Sequence, residues 1–563
     1  MLLTPGVYPE AFNITVGYYT SVIGVGRDPS VVRLNSVASH NGANGHATNN
    51  FWRSFEGVTL WAPTITWAAS QGSPIRRSVI ERDLHLSERD GFSSGGFIAD
   101  TKVMSKLDLG SQQQWLFRNT DLMGELACPG GWNYVFVGVH GASADAMARC
   151  GAGTEGKVSV TKHTPRIAEK PYLVREDDGH KWHIYVPKYY DRQTKGATVK
   201  YADTIDRKLS MEAEVFVATQ DLSAAEINRG IQGKKGLLLT PGIYRLAEPI
   251  KVSADNFVVL GIGFPTLVAT WGKPAVQVPD GLHDVRVAGV LLEAGTPKAE
   301  AETSPLLQWG ARQPPPADET FRRRKKRLLG AEEGAAAGVL SDVFARVGSF
   351  KYQGCPMVQA DTMVEINSDR VVLDHVWLWH ADHDDCGTQP EGVDVQSDRC
   401  VSKHGLLVNG RGVTSYGLAA EHIAAGHNVL WNGEDGEAYF YQAELPYHDK
   451  EFGLRGYAGY AVAPSVEAHS ASGLGVYIIG AELELRSAFI FPATVQVRNM
   501  VSVVIAGSND QFQNMACLRE PTASVEGAGA EKHGRQCFKA QSCRGIRCVL
   551  DHIPGARRPR RRP

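Results

Sequence analysis

The stretch "LLTPGVY" at residues 2–8 returns as "LLLTPGIY" at residues 237–244 of this 563-residue chain. A second repeat follows, because "VIGVG" at 22–26 recurs as "VLGIG" at 259–263. The offsets agree, since 240 − 4 = 236 for the threonines and 261 − 24 = 237 for the glycines. Self-similarity over a long, fixed period indicates a repeated architecture. The sequence therefore predicts two copies of one large unit.

Short apolar or alternating runs, bounded by Gly, Asn, Asp and Ser, recur along the whole chain, for example "GVTLWA", "FVVLGIG", "VRVAGVLLEA" and "VSVVIAG". Runs of this length are strand-sized, and helical periodicity is scarce. Sandwiches, propellers and solenoids all fit many short strands. We favour a solenoid because Asn and Asp stand at the ends of the runs and Asn-Gly hairpin turns do not dominate. We predict an all-β chain of two tandem right-handed parallel β-helices.

The repeat divides the chain into four parts. We expect a first β-helix at 1–160, a connecting region at 161–215, a second β-helix at 216–515 and a tail at 516–563. The second copy of the motif is preceded by "VATQDLSAAEINRGIQGKKG", and the first copy lacks this segment. The first β-helix therefore looks truncated at its start, and the chain shows no signal peptide.

Composition narrows the classes of partner and cofactor. A net charge of −2 and 43% hydrophobic residues give no general attraction to nucleic acid or membranes. The nine cysteines show no paired CxxC spacing, so we expect neither a metal site nor a cofactor. A few disulfides are compatible with them, and Cys386 and Cys400 could close the segment 384–400. We expect a monomer without nucleic-acid or membrane partners.

The stretch "GSQQQWLFRN" (110–119) is the first candidate binding segment. Strand alternation places Gln112 and Gln114 on one face. A carboxamide both donates and accepts hydrogen bonds, so these side chains could hold sugar hydroxyls or a water. The alternative is an amide ladder that only completes a solenoid turn. The further residues expected to bind substrate here are Trp115, Arg118 and Asn119.

The stretch "HVWLWHADHDD" (375–385) is the second candidate segment. It places Trp377 and Trp379 on one strand face and crowds polar side chains into the following bend. Aromatic rings cover the apolar faces of sugars, while carboxylates and imidazoles bind their hydroxyls. A metal site and an ordinary hydrogen-bonded corner are the alternatives. The residues expected to bind substrate are Trp379, His380, Asp382 and His383.

The stretch "VLWNGEDGEAYFYQAELPYH" (429–448) is the densest in carboxylates and aromatics. A desolvated carboxyl has the raised pKa that a general acid needs, and a second carboxylate or amide-held water would complete an inverting hydrolysis. We favour Glu444 as the acid, with Glu434, Glu437 and Glu421 competing for base or binding roles. The alternative is that these carboxylates are solvated edges of solenoid coils. Alternation predicts one face with Glu437, Tyr439 and Tyr441 and another with Phe440, Gln442 and Glu444. The residues expected to bind substrate are Trp431, Tyr441, Gln442 and Tyr447.

These stretches carry a family resemblance. With "NNFWRSFEGVTL", "GSQQQWLFRN", "EINSDRVVLDHVWLWHADH" and "VLWNGEDGEAYFYQAELPY", the chain resembles secreted bacterial and fungal proteins labelled "coagulation factor 5/8 type domain" or "adenylyl cyclase". That family is similar in architecture to glycoside hydrolase family 55, exo-β-1,3-glucanases of pectate-lyase-like fold. The resemblance implies secretion and an inverting site between two β-helices, with a glutamic acid from the second and a Gln-held water from the first. Glu444 and Gln112 or Gln114 match those roles by type.

Three functions remain open at this point. The first is a glycoside hydrolase that acts on a β-glucan or related polysaccharide through Glu444. The second is a polysaccharide lyase, for which Arg118 could neutralise a uronate and Tyr441 could act as base. The third is a non-catalytic glycan-binding solenoid. Nucleotide cyclase chemistry finds no support, because the chain has no Walker-type Gly-rich loop.

Overall fold

The fold is taken from a computed structural model. It describes residues 1–143, 147, 150, 158–191, 193–198, 204–270, 272–296, 304–312, 338–351, 354–382, 386, 400–447, 449, 451–479, 485–506, 514–519, 537–539, 542–544 and 547–552. Among these residues no helix has the length and apolar character needed to cross a membrane.

The first part of the chain coils into a parallel β-helix. Its strands are β1 (Leu2–Leu3), β2 (Gly6–Val7), β3 (Asn13–Thr15), β4 (Thr20–Gly24), β5 (Val32–Leu34), β6 (Ser36–Ala38), β7 (Arg53–Glu56), β8 (Thr59–Leu60), β9 (Thr64–Thr66), β10 (Pro74–Arg76), β11 (Val79–Ile80), β12 (Asp83–His85), β13 (Phe92–Ser93), β14 (Gly96–Ala99), β15 (Lys102–Val103), β16 (Leu107–Asp108), β17 (Ser111–Arg118), β18 (Asp121–Leu122), β19 (Leu126–Ala127), β20 (Gly130–Val137) and β21 (Val158–Thr161), with a 3₁₀ turn at Pro29–Val31. One side is the sheet β1-β4-β7-β10-β14-β17-β20-β21, a second is β18-β15-β11-β8-β5-β2, and a third holds β19-β16-β12-β9 and β3-β6.

An antiparallel segment connects this β-helix to the next. Its strands are β22 (Ile167–Ala168), β23 (Tyr172–Arg175), β24 (Trp182–Pro187), β25 (Tyr189–Tyr190) and β26 (Ile205–Ser210). β24 pairs with both β23 and β26, and β22 pairs with β25.

The second β-helix is built mainly on two long sheets. Its strands are β27 (Val215–Ala218), β28 (Gly236–Leu239), β29 (Ile243–Leu246), β30 (Ile250–Lys251), β31 (Val258–Gly261), β32 (Thr266–Ala269), β33 (Val276–Val278), β34 (Val285–Ala294), β35 (Leu307–Trp309), β36 (Gly338–Val347), β37 (Val358–Ile366), β38 (Val371–His380), β39 (Cys400–Val408), β40 (Thr414–Glu421), β41 (Val429–Trp431), β42 (Gly436–Glu444), β43 (Tyr460–Val462), β44 (His469–Ile479), β45 (Phe489–Pro492), β46 (Gln496–Ala506) and β47 (Ala516–Arg519), with helices α1 (Ala224–Gly230) and α2 (Glu451–Leu454). In one sheet the order is β27-β28-β31-β34-β36-β38-β40-β42-β44-β46, and in the other it is β30-β33-β35-β37-β39-β41-β43-β45-β47. All these neighbours pair in parallel, so the prediction of tandem parallel β-helices is confirmed.

The end of the second β-helix carries three further strands, β48 (Cys537–Phe538), β49 (Ser542–Arg544) and β50 (Arg547–His552). β50 pairs antiparallel with β46, and β48 pairs antiparallel with β47. β47 itself still pairs in parallel with β45. The parallel coils therefore continue past residue 515, where we expected the tail to begin.

Stacks of apolar side chains form the interior of each solenoid. In the first, the register aligns Phe55, Ile75, Ile98, Phe117 and Phe136 on successive coils, and all five are fully buried. Each such burial stabilises the fold by about 1.5–3 kcal/mol. Since a coil can bury its apolar face only against its neighbours, the coils are stable only as a stack.

The repeated motif adopts one conformation in both solenoids. The Tyr8 hydroxyl donates to the Thr4 carbonyl at 3.0 Å, and the Tyr244 hydroxyl donates to the Thr240 carbonyl at 2.9 Å. In both copies the "LL" before the turn pairs with the echoed strand, β1 with β4 and β28 with β31. The similarity that predicted duplication is therefore a similarity of structure.

A buried ionic network joins the two solenoids. Arg76 binds Asp342 through Nε–Oδ2 at 2.8 Å and Asp374 through NH1–Oδ2 at 2.7 Å. Arg118 binds Asp374 through Nε–Oδ1 at 2.7 Å and Glu169 of the connecting segment through NH1–Oε1 at 2.6 Å. The arginines and aspartates are fully or almost fully buried. This network fixes how the solenoids face one another, and so positions any site between them.

The disulfides correct one expectation. Cys386 bonds to Cys355, whose Cα lies 5.4 Å away, and not to Cys400. Cys400 begins β39, where it lies opposite Val358, so the sheet sets its position. The described residues also include the disulfides Cys128–Cys150 and Cys517–Cys537.

Candidate functional site

Two carboxyl groups stand on adjacent coils of the second solenoid, on the side that faces the first. β40 and β42 pair in parallel with Ala419 opposite Gln442. Two residues further along come Glu421 and Glu444, and the backbone N–H of His422 donates to the Glu444 carbonyl at 2.8 Å. Paired strands lie about 4.8 Å apart. The sheet therefore holds the two carboxyl-bearing residues side by side.

Glu421 is the more deeply buried of the two, with 2% of its surface exposed. Its Oε2 accepts a hydrogen bond from Trp377 Nε1 at 2.5 Å, and its Oε1 accepts one from Gln71 Nε2 of the first solenoid at 3.0 Å. Burial raises the pKa of Glu421 well above its ordinary value, and the neighbouring Glu444 raises it further. Two carboxyls this close do not both ionise readily, so the pair retains a proton at a pH where isolated carboxyls have lost theirs.

Glu444 is slightly more open, with 8% of its surface exposed. The Tyr447 hydroxyl donates to Glu444 Oε2 at 2.6 Å. His422 Nε2 lies 3.8 Å from Glu444 Oε2 and 3.8 Å from Asp382 Oδ1, which accepts a hydrogen bond from Trp379 Nε1 at 3.0 Å. A proton on Glu444 therefore lies near both solvent and a set of polar partners.

A cavity lies between the solenoids, next to the hydrogen-bond partners of Glu421. Its wall includes Gln71, Gln114 and Phe97 of the first solenoid and Trp377 and Gln442 of the second. The side-chain oxygens of the three glutamines are buried, and none has a hydrogen-bond partner among the described residues. The cavity therefore presents three acceptors that can bind the hydrogens of a water or of sugar hydroxyls.

A column of left-handed residues bends the sheet at this cavity. His375, Gly417, Phe440 and Gly473 follow one another on successive strands with φ between 66° and 74°. At Phe440 the alternation of side chains is interrupted. Tyr439 and Phe440 both contact the cluster between the solenoids, whereas Tyr441 turns into the interior. The prediction that Glu437, Tyr439 and Tyr441 share a face is therefore wrong. Phe440 and Gln442, which were predicted to share the other face, both line the cavity.

The structure brings several predicted site residues together around the carboxyl pair. Gln114 and Gln442 line the cavity, and Trp379, Asp382 and Tyr447 surround Glu421 and Glu444 through the contacts given above. His380 lies nearby with its Nδ1 2.6 Å from Ser402 Oγ, and burial lowers its pKa to about 3. His383 lies outside the described residues.

Other predicted binding residues are inaccessible. Trp115, Trp431 and Tyr441 are fully buried in the solenoid interiors, where they pack against apolar side chains. Arg118 is fully buried in the ionic network, and Asn119 is a left-handed turn residue that donates to Thr194 Oγ1 at 3.0 Å. The sequence did not reveal this burial, because polar and aromatic types alone do not show which face of a coil is buried. The two residues on which the lyase hypothesis rested, Arg118 and Tyr441, are therefore both inaccessible to a substrate.

Three predicted catalytic residues lie apart from the pair. Gln112 donates to the Leu86 carbonyl within the first solenoid. Glu434 accepts hydrogen bonds from the backbone N–H groups of Glu467 and Ala468, both at 3.0 Å, and so completes a turn. Glu437 stands at the opposite end of β42 from Glu444. Strand position, rather than residue type, separates these residues from the site.

Sequence reasoning missed Gln71 and His422. Gln71 contacts Glu421 across 350 residues of chain, a proximity that only the packing of the two solenoids creates. His422 directly follows Glu421 in the sequence "AAEH" (419–422), so its position beside a candidate carboxyl was an available signal.

Comparisons with known proteins place this geometry in context. The model of the LAM55 pectate lyase-like domain matches residues 215–444. An exo-beta-1,3-glucanase from Streptomyces sp. (strain SirexAA-E / ActE) is 31% identical over 531 residues, which are 92% of this chain and 80% of that protein. The structure of sacteLam55A from Streptomyces sp. SirexAA-E matches with a TM-score of 0.80 at 28% identity, over 98% of this chain and 92% of that one. A glutamate-to-alanine variant of sacteLam55A in complex with glucose matches with a TM-score of 0.78 at 28% identity, over the same shares of both chains.

Proposed function

The chain belongs to the family of the LAM55 exo-β-1,3-glucanases, glycoside hydrolases of family 55, and we propose that it removes sugar units from the end of a β-1,3-glucan. The observation that carries this proposal is the buried pair Glu421 and Glu444, of which Glu421 is hydrogen-bonded to Gln71 and Trp377 in the wall of a cavity between two parallel β-helices. Gln71 and Gln114 come from the first solenoid and the carboxyls from the second. One chain therefore supplies both halves of the site, and we take the monomer as the acting unit.

Glu444 is the proposed general acid. It is the more exposed carboxyl of the pair, and its proton can reach the glycosidic oxygen of a sugar in the cleft. The Tyr447 hydroxyl at 2.6 Å holds its Oε2 in place and stabilises the carboxylate that remains once the proton has left. Protonation of the departing oxygen is the step that glycoside hydrolysis requires of an acid.

Glu421 supports that role through its charge. Trp377 and Gln71 donate to its two oxygens, so its orientation is fixed. The two carboxyls retain one proton between them, and in the proposed reactive form that proton is on Glu444 while Glu421 carries the charge. Glu421 is therefore a positioning residue in this proposal, and Glu444 is the group that transfers the proton.

The three glutamine oxygens at the cavity are the proposed holders of the attacking water. A water that donates its hydrogens to Gln71, Gln114 or Gln442 directs a lone pair away from them, as a nucleophile must. A fixed water opposite the acid would lead to inversion at the anomeric carbon. We propose Gln114 as the principal holder, since its side chain comes from the solenoid opposite Glu444.

The electrostatics of the site favour a neutral glycan. Glu421, Glu444 and Asp382 lie close together, and such a concentration of carboxyls repels a polyuronate. Trp377 and Phe97 give the cavity an apolar, uncharged part of its wall. Both features are consistent with a glucan substrate.

The disulfides Cys128–Cys150, Cys355–Cys386 and Cys517–Cys537 support a proposal of secretion. Disulfides persist mainly in oxidising compartments. A secreted enzyme would also encounter its polymeric glucan substrate outside the cell.

The test is hydrolysis of laminarin by wild type, Glu444→Gln and Glu437→Gln. Loss of a general acid should lower kcat by about 100- to 10,000-fold in Glu444→Gln. Glu437→Gln is the matched control, because Glu437 is a half-buried carboxyl of the same strand whose pKa is also raised by burial. It should retain activity near that of wild type. A folded wild-type protein without activity on laminarin would contradict the proposed function, as would a fully active Glu444→Gln.

A further inference from the structure

A row of aromatic rings leads from the carboxyl pair to the surface. Trp377, which donates to Glu421, lies 5.3 Å from Trp52 of the first solenoid, measured between ring centroids. Tyr19 stacks on the far side of this cluster, with its ring centroid 5.1 Å from that of Trp52 and the ring planes 10° apart. Trp52 and Trp377 are almost fully buried, whereas 42% of Tyr19 is exposed. Tyr19 therefore ends the row as an open aromatic surface.

The Tyr19 ring is held rigidly. Its hydroxyl accepts a hydrogen bond from Arg346 NH1 at 2.9 Å, and the same guanidinium lies 5.3 Å from the centre of the Trp52 ring. Tyr19 and Trp52 both adopt left-handed backbone conformations, with φ of 56° and 49°. Bulky side chains rarely occupy this region, and such outliers persist where the surrounding structure imposes them. The ring is thus fixed before any ligand arrives.

The register places Arg346, the hydrogen-bond partner of Tyr19, at a defined backbone distance from the acid. Arg346 pairs with Trp379, and Trp379 pairs with Glu421, which is followed by Glu444 on the next coil. Three strand spacings therefore separate Arg346 from Glu444, or about 14 Å. A sugar ring over Tyr19 is not the ring that contacts Glu444. It belongs to a more distant part of the same oligosaccharide.

We propose that Tyr19 is a distal binding platform for longer β-1,3-glucan chains, an inference that rests on the proposed function. A flat, exposed and immobile aromatic face packs against the apolar face of an uncharged pyranose with little loss of side-chain entropy. Tyr19 touches neither reacting atoms nor the carboxyl pair. It adds affinity for sugars beyond those in the cleft, so it selects for substrate length.

The experiment compares kcat/KM on laminaribiose and laminarihexaose for wild type, Tyr19→Ala, Tyr19→Phe and Tyr18→Ala. Tyr19→Ala should lower kcat/KM on laminarihexaose by about three- to tenfold and leave laminaribiose unchanged. Tyr19→Phe keeps the ring and should stay near wild type. Tyr18→Ala is the matched control, since Tyr18 is 51% exposed but donates to the Asn49 carbonyl and packs against Arg53.

A binding measurement separates this inference from the proposed function. Calorimetric titration of laminarihexaose should show weaker binding to Glu444→Gln/Tyr19→Ala than to Glu444→Gln alone, whether or not the wild-type protein turns the sugar over. Equal affinities, or equal losses of kcat/KM on both sugars, would overturn the platform even if hydrolysis is observed. Absence of hydrolysis with a Tyr19-dependent affinity would instead overturn the proposed function and retain the platform.

Discussion

At the scale of single residues, the site depends on a carboxyl group that the fold buries beside a second carboxyl group, where its ionised form is unfavourable. Glu421 is 2% exposed and lies beside Glu444. Its carboxyl group accepts hydrogen bonds from Trp377 and Gln71, yet the loss of water on burial still raises its pKa. Such a strained arrangement lowers stability in exchange for a usable proton.

This arrangement predicts a pH-dependent stability. The folded pKa of Glu421 lies above its unfolded value, so the folded state binds more protons between the ordinary glutamate range and the raised pKa, and stability falls as pH rises through that window. Glu421→Gln removes the titration. We expect the free energy of unfolding of Glu421→Gln, relative to wild type, to increase from pH 4.5 to pH 8 while its kcat on laminarin falls. Urea denaturation at both pH values measures this difference, and a pH-independent difference would count against it.

The sequence predicted part of this site at the residue level. Glu444, Gln442 and Tyr447 could be selected because carboxylate, amide and aromatic types cluster in one stretch. Arg118 and Trp115 were selected by the same argument, and the structure buries both. Their burial depends on which coil face meets the connecting segment or the interior, and residue types do not encode that choice locally.

At the scale of elements, the left-handed column through His375, Gly417, Phe440 and Gly473 decides which side chains reach the cavity. Along β42 past this bend, Tyr441 packs in the interior while Gln442 lines the cavity that faces the first solenoid. A strict two-residue period predicted the strands themselves but not this interruption, because Phe440 has no residue-type signature of a left-handed conformation.

Gly417→Ala tests the column. With φ of 66°, an added Cβ would be strained and would lie 2.9 Å from Phe97 Cδ2 and 3.2 Å from Leu116 Cδ2 of the first solenoid. We expect a loss of about 1–3 kcal/mol in the free energy of unfolding, together with reduced kcat because β40 carries Glu421. Gly456→Ala is the control, since its φ is 76° but its Cβ would meet no atom within 4 Å. Gly456→Ala should lower the free energy of unfolding only through backbone strain, and it should leave kcat unchanged. Equal effects of the two substitutions on kcat would refute a role for the packing of Gly417.

At the scale of the whole molecule, two solenoids become one enzyme through the buried ionic network. Arg76 and Asp374 are 298 residues apart, so the internal repeat predicted two units without indicating which faces meet. Buried ion pairs are weak sources of net stability but impose one specific geometry, and removing one partner leaves the others uncompensated.

Asp374→Ala should therefore be severe. It leaves Arg76 and Arg118 without their shared carboxylate, and we expect a loss of about 3–5 kcal/mol in the free energy of unfolding. Activity on laminarin should fall in parallel, because the network positions Gln71 and Gln114 opposite the carboxyls. The control is Asp177→Ala, whose partner Arg27 is 59% exposed and whose own side chain is 71% exposed. That exposed pair should contribute no more than about 1 kcal/mol, so similar losses in both variants would refute the role of the network.

The register of β40 and β42 has a mechanical consequence. The separation of Glu421 and Glu444 is set by the backbone ladder between two coils, and no loop or hinge stands between them. The spacing between adjacent strands of the sheet therefore sets the distance between the two residues. That spacing does not stretch gradually as the protein is warmed, because a strand pair is either hydrogen-bonded or separated. The distance between Glu421 and Glu444 should therefore stay constant up to the temperature at which these coils separate. Activity should be lost at that same temperature.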